Sequence, residues 1–381
     1  MSRGQDVFLG IACAAAVATL FSASPIRAQT AQGEPIKIGA VVSLTGPGAG
    51  LGQPERNGML LAEKDVNDQG GVNGRPIKIL VEDDGSKADN AKNKAEQLIF
   101  DEKVVTILGP SLTASTGAVS AMTNSEGMAE LAFTGLGPKI ELSYNSLYHL
   151  LPPQELNARA MLEYATKALN SKKIGVLHDT GYGQVVTNSL NALKAQYGVE
   201  FVAVEKFEVG ATDTSAQAAK VRAADPDVVF IIATSPVPFR NARQVRISQP
   251  IVSAIGSSSY DYVRGMGEFA DDVVFPEFVV GEDPLPHQVE FVKRYRQTYN
   301  SLPKNYEAAG WDAVHIVAKA VETAGPNAKH EEIAKAIRGP YAGVFAAYNF
   351  AAADMTGIQL SSYVYSKLVK GAFTRLPFVA K

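Results

Sequence analysis

Short apolar runs alternate with amphipathic segments from Ile36 onward. Apolar runs of four to eight residues between turn residues predict buried strands, and apolar residues three and four positions apart predict helices. The pattern predicts strands at 36–44, 77–84, 104–110 and 129–135, and helices at 54–71, 88–102 and 113–127. Because strands that alternate with helices pair in parallel, we expect a parallel sheet with helices on both faces.

The same rhythm restarts after Pro153. It predicts helices at 155–170, 184–197, 214–224 and 237–246, and strands at 173–179, 199–207, 227–234, 250–257 and 271–281. The remaining chain predicts helices at 284–299, 304–323 and 329–338 and strands at 343–350 and 359–369. Two α/β units followed by helices and closing strands predict that the chain crosses between two lobes more than once, which is a hinge arrangement.

The N-terminus has a different composition. Arg3 precedes an uncharged apolar run at 7–21, and small residues then lead to a predicted cleavage after Ala28. This order is typical of a secretory signal peptide at 1–28, and a run of 15 residues is short for a membrane span. A retained N-terminal anchor is the alternative. The single cysteine, Cys13, lies inside this segment, so the mature chain is expected to have no disulfide and no cysteine ligand or nucleophile.

The charge and histidine patterns narrow the function classes. The net charge is −3, which gives no reason to expect nucleic acid or an anionic membrane as a partner. The five histidines show no metal-ligand spacing, so we expect no metal site.

A glycine-rich turn follows the first predicted strand, in "SLTGPGAGLGQ". A dinucleotide fingerprint needs G-x-G-x-x-G, but Leu51 and Gln53 occupy the third glycine position in the two possible registers. The acidic run 82–84 also lies more than 30 residues past the glycines, and we interpret it as a solvated strand end or a feature of the lobe surface. We therefore expect no cofactor. The turn is either a flexible connection or a loop whose bare backbone approaches a ligand.

Four motifs occur in order along the chain: "LTGP", "GGVNGRPIKI", "ILGPSLTAST" and "GVLHDTGYGQ". Together they resemble the motifs of periplasmic leucine/isoleucine/valine-type binding proteins, the solute receptors of ABC importers. The resemblance covers about residues 36 to 370. It implies the α/β fold of type I periplasmic binding proteins, with two Rossmann-like lobes joined by a three-crossover hinge. On this basis we expect lobe 1 at 34–153 plus 281–357 and lobe 2 at 154–280 plus 358–381.

The resemblance also implies a set of ligand-binding positions in the cleft between the lobes. Thr113 matches the hydroxyl that holds a ligand carboxylate, and Tyr182 matches a pocket tyrosine of lobe 2. The other positions that match contacting loops are Leu51, Leu136, Pro138, Thr234 and Ser235.

Ser257 departs from the family pattern, because it occupies the place of a glutamate that pairs with the ligand ammonium. A serine cannot offset the desolvation of a buried cation, so a carboxylate without an ammonium, such as an aromatic or branched aliphatic acid, fits better. Candidate apolar walls are Phe133, Tyr182, Phe239, Tyr260 and Tyr262.

Three further side chains are candidates for polar contacts. Arg240 and Arg243 are spaced to clamp a carboxylate, although this spacing is more typical of a solvated helix face. His178, at a strand end, is either a ligand-facing group or, more commonly, a structural histidine.

The sequence thus predicts a periplasmic receptor that binds a small-molecule carboxylate, delivers it to an ABC permease in the inner membrane, and works as a monomer without catalysis. Two alternatives stay open. The same fold could bind a branched-chain amino acid, or act as a sensor of a small amide. A secreted α/β enzyme is the other, but it needs a nucleophile–base pair that the motifs do not supply.

Overall fold

The computed structural model describes residues 31–136, 143–255 and 259–381, with only the backbone of Asp261. The predicted signal peptide 1–28, Cys13, Pro138 and Ser257 lie outside the described residues.

The first sheet has five strands in the order β2-β1-β3-β4-β5, and all of its pairs are parallel. Its strands are β1 (Ile36–Val42), β2 (Ile77–Asp83), β3 (Ile107–Leu108), β4 (Glu130–Ala132) and β5 (Leu147–His149). Every residue of β3, β4 and β5 is buried. Burial on both faces explains their continuous apolar character and fixes this sheet as the centre of lobe 1.

Lobe 1 takes helices from both ends of the chain. They are α1 (Ala49–Asp68), α2 (Ala88–Glu96), α3 (Thr113–Ser125), α9 (Val289–Tyr299), α10 (Asn305–Ala324) and α11 (His330–Ile337). Helices α1 and α10 pack backbone against backbone, because a Cβ on Gly58 would lie 1.9 Å from the carbonyl oxygen of Glu307. A Cβ on Gly310 would lie 2.2 Å from the carbonyl oxygen of Glu55. Only glycine permits so close a crossing.

The second sheet has seven strands in the order β14-β13-β10-β9-β8-β6-β7 and forms lobe 2. The parallel strands are β6 (Lys173–Asp179), β7 (Glu200–Phe207), β8 (Val228–Ile232), β9 (Ile251–Ser253) and β10 (Val273–Glu277). Two antiparallel strands, β13 (Val364–Val369) and β14 (Ala372–Leu376), close one edge. The helices are α4 (Gln154–Glu163), α5 (Tyr182–Tyr197), α6 (Ser215–Ala223), α7 (Val237–Gln244) and α8 (Tyr260–Met266).

The described chain crosses between the lobes three times. It leaves lobe 1 between β5 and α4, returns between β10 and α9, and leaves again between the hairpin β11 (Pro340–Ala342)–β12 (Ala347–Asn349) and β13. The predicted fold class, two parallel α/β lobes joined by three crossovers, is confirmed. No helix within the described ranges has both the length and the apolar character needed to cross a membrane.

Several element bounds differ from the sequence prediction. The segment 104–110 contains a strand of only two residues, and the predicted strand 343–350 is half of the short hairpin β11–β12. Strand β14 and helix α8 were not predicted. Helix α1 begins at Ala49, five residues before its predicted start, so the glycine-rich turn is partly helical.

Candidate functional site

Two predicted residues of lobe 1 meet at the start of α3, at the carboxyl edge of the sheet. Thr113 is the first residue of α3 and is exposed, and its Oγ1 lies 3.0 Å from Oγ1 of Thr134. Leu136 is half-buried and packs beside the same helix, because a Cβ on Gly117 would lie 3.5 Å from its Cδ2. Thr134 was missed by the sequence analysis, although it lies in the same loop as Leu136.

The amino end of α3 suits an anionic group. Leu112 precedes the helix and gives no side-chain cap, and the first turn carries no acidic residue. Backbone N–H groups at such an end are not used within the helix, and the helix dipole is positive there. Together with the Thr113 hydroxyl, this end can accept a carboxylate.

The glycine-rich turn packs tightly against neighbouring loops. A Cβ on Gly46, whose φ is +78°, would lie 2.8 Å from the carbonyl oxygen of Gly85, and a Cβ on Gly48 would lie 2.8 Å from Cβ of Ser43. Leu51 follows in the first turn of α1 and is half-buried. The glycines therefore bring the loops at the carboxyl edge close together.

The acidic run at the end of β2 is only partly solvated, and the interpretation as a solvated strand end was wrong for Asp84. Asp83 accepts hydrogen bonds from the N–H groups of Leu44, Thr45 and Gly85 and from the Thr45 hydroxyl, at 2.6 to 3.2 Å. Asp84 is fully buried and accepts from the Ser43 hydroxyl at 2.7 Å. Both carboxylates fix the loop that follows β1.

Asp179, at the end of β6, fixes loops of lobe 2 in the same way. Its Oδ1 accepts from the N–H groups of Gly181 and Gly183 at 3.0 and 2.7 Å. Its Oδ2 accepts from the N–H and the hydroxyl of Thr234 at 2.7 and 2.9 Å. The structure therefore brings Thr234 beside the loop that carries Tyr182, but the Thr234 hydroxyl proton is already donated within the lobe.

Ser235 lies next to Thr234 and is held by lobe 2. Its Oγ is 3.4 Å from the N–H of Val237, and its carbonyl oxygen accepts from the Tyr262 hydroxyl at 2.6 Å. Tyr262 also contacts Phe239 edge to face, with ring centroids 6.0 Å apart. Tyr262 thus braces the Ser235 loop.

The structure corrects the predicted apolar walls. Phe133 and Phe239 are buried in the hydrophobic cores, at 1 % and 0 % exposure. Tyr260 directs its hydroxyl to Glu282 at 2.8 Å and packs its ring on Phe373. A buried core ring is fixed by its own lobe and cannot line an open cleft.

Tyr182, the first residue of α5, faces two other tyrosines. Burial, with the nearby phenol of Tyr182 as a further cause, raises the pKa of Tyr306 and of Tyr363. Tyr306 belongs to α10 of lobe 1 and Tyr363 to the third crossover, so tyrosines from both lobes and the hinge meet at one place. Tyr306 and Tyr363 were missed, because no local signal places them beside Tyr182.

The remaining polar candidates are structural. His178 is buried, and its Nδ1 lies 2.9 Å from the carbonyl oxygen of Asp179, in line with the structural interpretation. Arg240 donates to the carbonyl of Gly265 at 3.1 Å, and Arg243 donates to that of Ile247 at 2.8 Å. Both guanidinium groups thus tie loops of lobe 2.

A buried ion pair joins the lobes at the second crossover. Lys304, just before α10, pairs with Glu277 at the end of β10, and the two side chains are 1 % and 0 % exposed. The Nζ of Lys304 also lies 3.4 Å from the ring centroid of Phe373 of β14. Burial lowers the pKa of Lys304, although Glu277 favours its charged form.

Asp312 of α10 fixes the turn of the β11–β12 hairpin, which precedes the third crossover. Its carboxyl accepts from the N–H groups of Val344 and Phe345 at 2.7 and 2.8 Å. Burial raises the pKa of Asp312 to about 7, although these hydrogen bonds favour the ionised form. Helix α10 therefore holds the hairpin that leads into the third crossover, and Lys304, just before the helix, holds the start of the second.

Two α/β lobes, three crossovers and facing loops at the carboxyl edges define a two-lobed ligand-binding protein. The chain belongs to the periplasmic binding protein family, whose model matches residues 35–367. The family consists of solute-binding receptors, and the resemblance stated from the sequence is confirmed.

Two relatives agree with this family, and a solved structure agrees with the fold. A Leu/Ile/Val-binding protein homolog 1 from Brucella suis is 27% identical over 368 residues, 93% of this chain and 97% of the relative. An amino acid binding protein from Pseudomonas aeruginosa is 26% identical over 302 residues, 77% of this chain and 79% of the relative. The branched-chain amino acid transporter substrate binding protein of Streptococcus pneumoniae, in complex with isoleucine, has a TM-score of 0.81 at 23% identity and covers 90% of this chain and 100% of its own.

Proposed function

We propose that this protein is the periplasmic receptor of an ABC importer and that it binds a small carboxylate between its lobes. The observation that carries the proposal is Thr113, an exposed hydroxyl at the uncapped amino end of α3, paired with Thr134 at the carboxyl edge of a parallel sheet. Leu51, Leu136 and Pro138 from lobe 1 complete that half of the proposed site.

Lobe 2 supplies the opposite half of the proposed site. Tyr182 provides a phenol next to Tyr306, and the loop of Thr234 and Ser235 lies beside it. Ser257 belongs to the same proposed half. A ligand that contacts both halves favours the closed form, because it gains contacts there that the open form does not offer.

We infer further that the ligand lacks an ammonium group. The resemblance places Ser257 where amino-acid receptors carry a glutamate. Support comes from Asp83 and Asp179, the carboxylates at the two loop edges, since each already accepts four hydrogen bonds from its own lobe. An aromatic or branched aliphatic acid therefore fits the site.

Branched-chain amino acids are the second candidate ligands. The names of the relatives from Brucella suis and Streptococcus pneumoniae favour this chemistry for those proteins. In this chain an amino-acid ligand requires another acceptor for the ammonium, such as a group of backbone carbonyls.

A thermal-shift screen of ligand-stripped protein separates the two candidates. One panel holds leucine, isoleucine, valine and phenylalanine, and the other holds benzoate, hydroxybenzoates, phenylpropanoid acids and branched aliphatic acids. A ligand at 100 times its Kd stabilises the folded form by about 2.7 kcal/mol, which shifts Tm by roughly 3 to 4 °C in a chain of this size. Response to the acids alone supports the proposal, and response to the amino acids alone refutes the inferred ligand class.

The substitution Thr113→Val then tests the position of the carboxylate. It removes the hydroxyl at nearly constant shape, and we expect the Kd of a responding acid to rise tenfold or more, since a hydrogen bond to a charged group contributes about 1.5 to 3 kcal/mol. Thr323→Val is the matched control, because Thr323 is an exposed residue of α10 whose hydroxyl bonds its own helix. Equal Kd values for the two variants would show that the Thr113 hydroxyl does not bind the ligand carboxylate.

A further inference from the structure

A chain of buried hydrogen bonds lies beneath the loop that carries Thr113. Ser111 is 3 % exposed, and its Oγ accepts from the N–H of Ser43 at 3.1 Å and donates to Oε2 of Glu55. The Ser43 hydroxyl donates in turn to Asp84. Ser111 is two residues before Thr113, so this chain sets the path of the backbone into α3.

Glu55 is a fully buried residue of α1 in a negatively charged surrounding. The charged groups that face it are the carboxylates of Asp84, after β2, and Glu307 of α10, and the phenol of Tyr306 lies close by. Burial and these two carboxylates raise the pKa of Glu55 to about 8, against the opposing hydrogen bond from Ser111. At neutral pH the side chain therefore carries its proton.

The hydrogen-bond pattern tells which oxygen holds that proton. Oε2 accepts from Ser111, so the proton belongs on Oε1, which is buried and has no hydrogen-bond partner within the described residues. A neutral carboxylic acid can thus act as the acceptor that Ser111 needs without placing a charge in the core.

We propose that Glu55, held as a neutral carboxylic acid, is a positioning residue of the ligand site: it orients Ser111, and through it Thr113, while adding no negative charge beneath the ligand carboxylate. Only the claim about charge beneath the ligand carboxylate rests on the proposed function. The neutral acid and the orientation of Thr113 concern the protein without ligand.

Proton linkage follows from this arrangement. If the ionised form of Glu55 repels the ligand anion, only the protonated fraction of the protein is competent to bind. At one pH unit above the titration midpoint that fraction is about one tenth, so the apparent Kd rises about tenfold between pH 6 and pH 9. Binding also takes up a proton near pH 8 and above, because a bound anion stabilises the protonated side chain.

Three proteins test the proposal: the wild type, Glu55→Gln, which keeps a neutral acceptor, and Glu55→Leu, which removes the acceptor. The first measurement needs no ligand. In carboxyl-detected NMR the wild type should show one resonance, missing in both variants, that titrates near pH 8. The Thr113 amide signal should stay near its wild-type position in Glu55→Gln and move in Glu55→Leu. A Glu55 resonance that titrates near pH 4, or a Thr113 signal unaffected by Glu55→Leu, overturns the proposal.

The second measurement uses benzoate as the probe, with calorimetric Kd values at pH 6 and pH 9. The ratio of the two values should be about ten in the wild type and about one in both variants. A ratio of about ten that persists in Glu55→Gln overturns the linkage. Benzoate that fails to bind at either pH, while the NMR results stand, counts against the proposed ligand class and leaves the role of Glu55 supported.

Discussion

The crossing of α1 and α10 offers the sharpest test of the fold, through the substitution Gly58→Ala. A Cβ at this position would lie 1.9 Å from the carbonyl oxygen of Glu307 and 2.8 Å from its carbonyl carbon. Since Cβ atoms essentially never approach other atoms within 3.0 Å, the two helices must separate by about 1 Å. The obstructing atoms are backbone, so no side-chain rotation can relieve the contact.

The expected cost follows from two opposing effects. Replacing glycine by alanine inside a helix gains up to about 1 kcal/mol, and forcing extra volume into a packed interior costs about 1 to 3 kcal/mol, or more where backbone blocks the space. Because the obstruction here is backbone, we expect Gly58→Ala to lose about 2 to 4 kcal/mol of unfolding free energy. Ligand affinity should fall as well, since Leu51 of the proposed site lies in the first turn of α1.

Urea unfolding followed by circular dichroism measures this loss. Gly50→Ala is the matched control, because Gly50 lies in the same helix and a Cβ there would have no neighbour within 4 Å, so this variant should be neutral or slightly more stable. Gly310→Ala obstructs the same crossing from the other side, so the double variant should cost clearly less than the sum of the single variants. A Gly58→Ala protein as stable as the control would refute the close crossing.

Two buried ionisable side chains, Lys304 and Glu130, give further predictions. Lys304→Met should lose about 3 to 5 kcal/mol of unfolding free energy, because it leaves Glu277 buried without its cation. Lys319→Met, which removes one partner of an exposed ion pair in α10, should lose less than about 1 kcal/mol. Equal urea midpoints for the two variants would contradict this prediction. Burial raises the pKa of Glu130 to about 8, so its contribution is fully present below about pH 4.5 and is lost as pH rises to about 8. The stability of Glu130→Gln relative to wild type should therefore rise across that window by on the order of 4 kcal/mol, and a constant difference in urea unfolding at pH 5 and pH 8 would exclude a neutral Glu130.

The fold could be predicted where burial and strand pairing coincide. All five residues of β8 are buried, and the strand was predicted within three residues of its bounds. At 104–110 burial and strand pairing do not coincide, because Val104 and Thr106 are buried but lie outside the paired residues of β3. Periodicity reports burial and carries no direct signal for hydrogen-bond pairing, so short strands are predicted too long.

The site could be predicted only where one stretch of chain contains the signal. Thr113 follows a strand and begins a helix, which places it at the sheet edge. Tyr306 lies on a helix that returns to lobe 1 through the second crossover, and no residue near it in sequence indicates that return. Phe133 was placed wrongly, since the side-chain direction at a strand end decides between the cleft and the core and is not readable from composition.

The alternation of the chain between the lobes sets the order in which the protein can fold during synthesis. Helix α1 is covered at Gly58 only after the segment with Gly310 has been synthesised. The sheet of lobe 2 gains its last two strands only from residues 364–376. Neither core is therefore complete until almost the whole chain has been made. A prematurely ended product would expose apolar surface from both lobes at once, and we expect it to be degraded or to aggregate rather than to persist as one folded lobe.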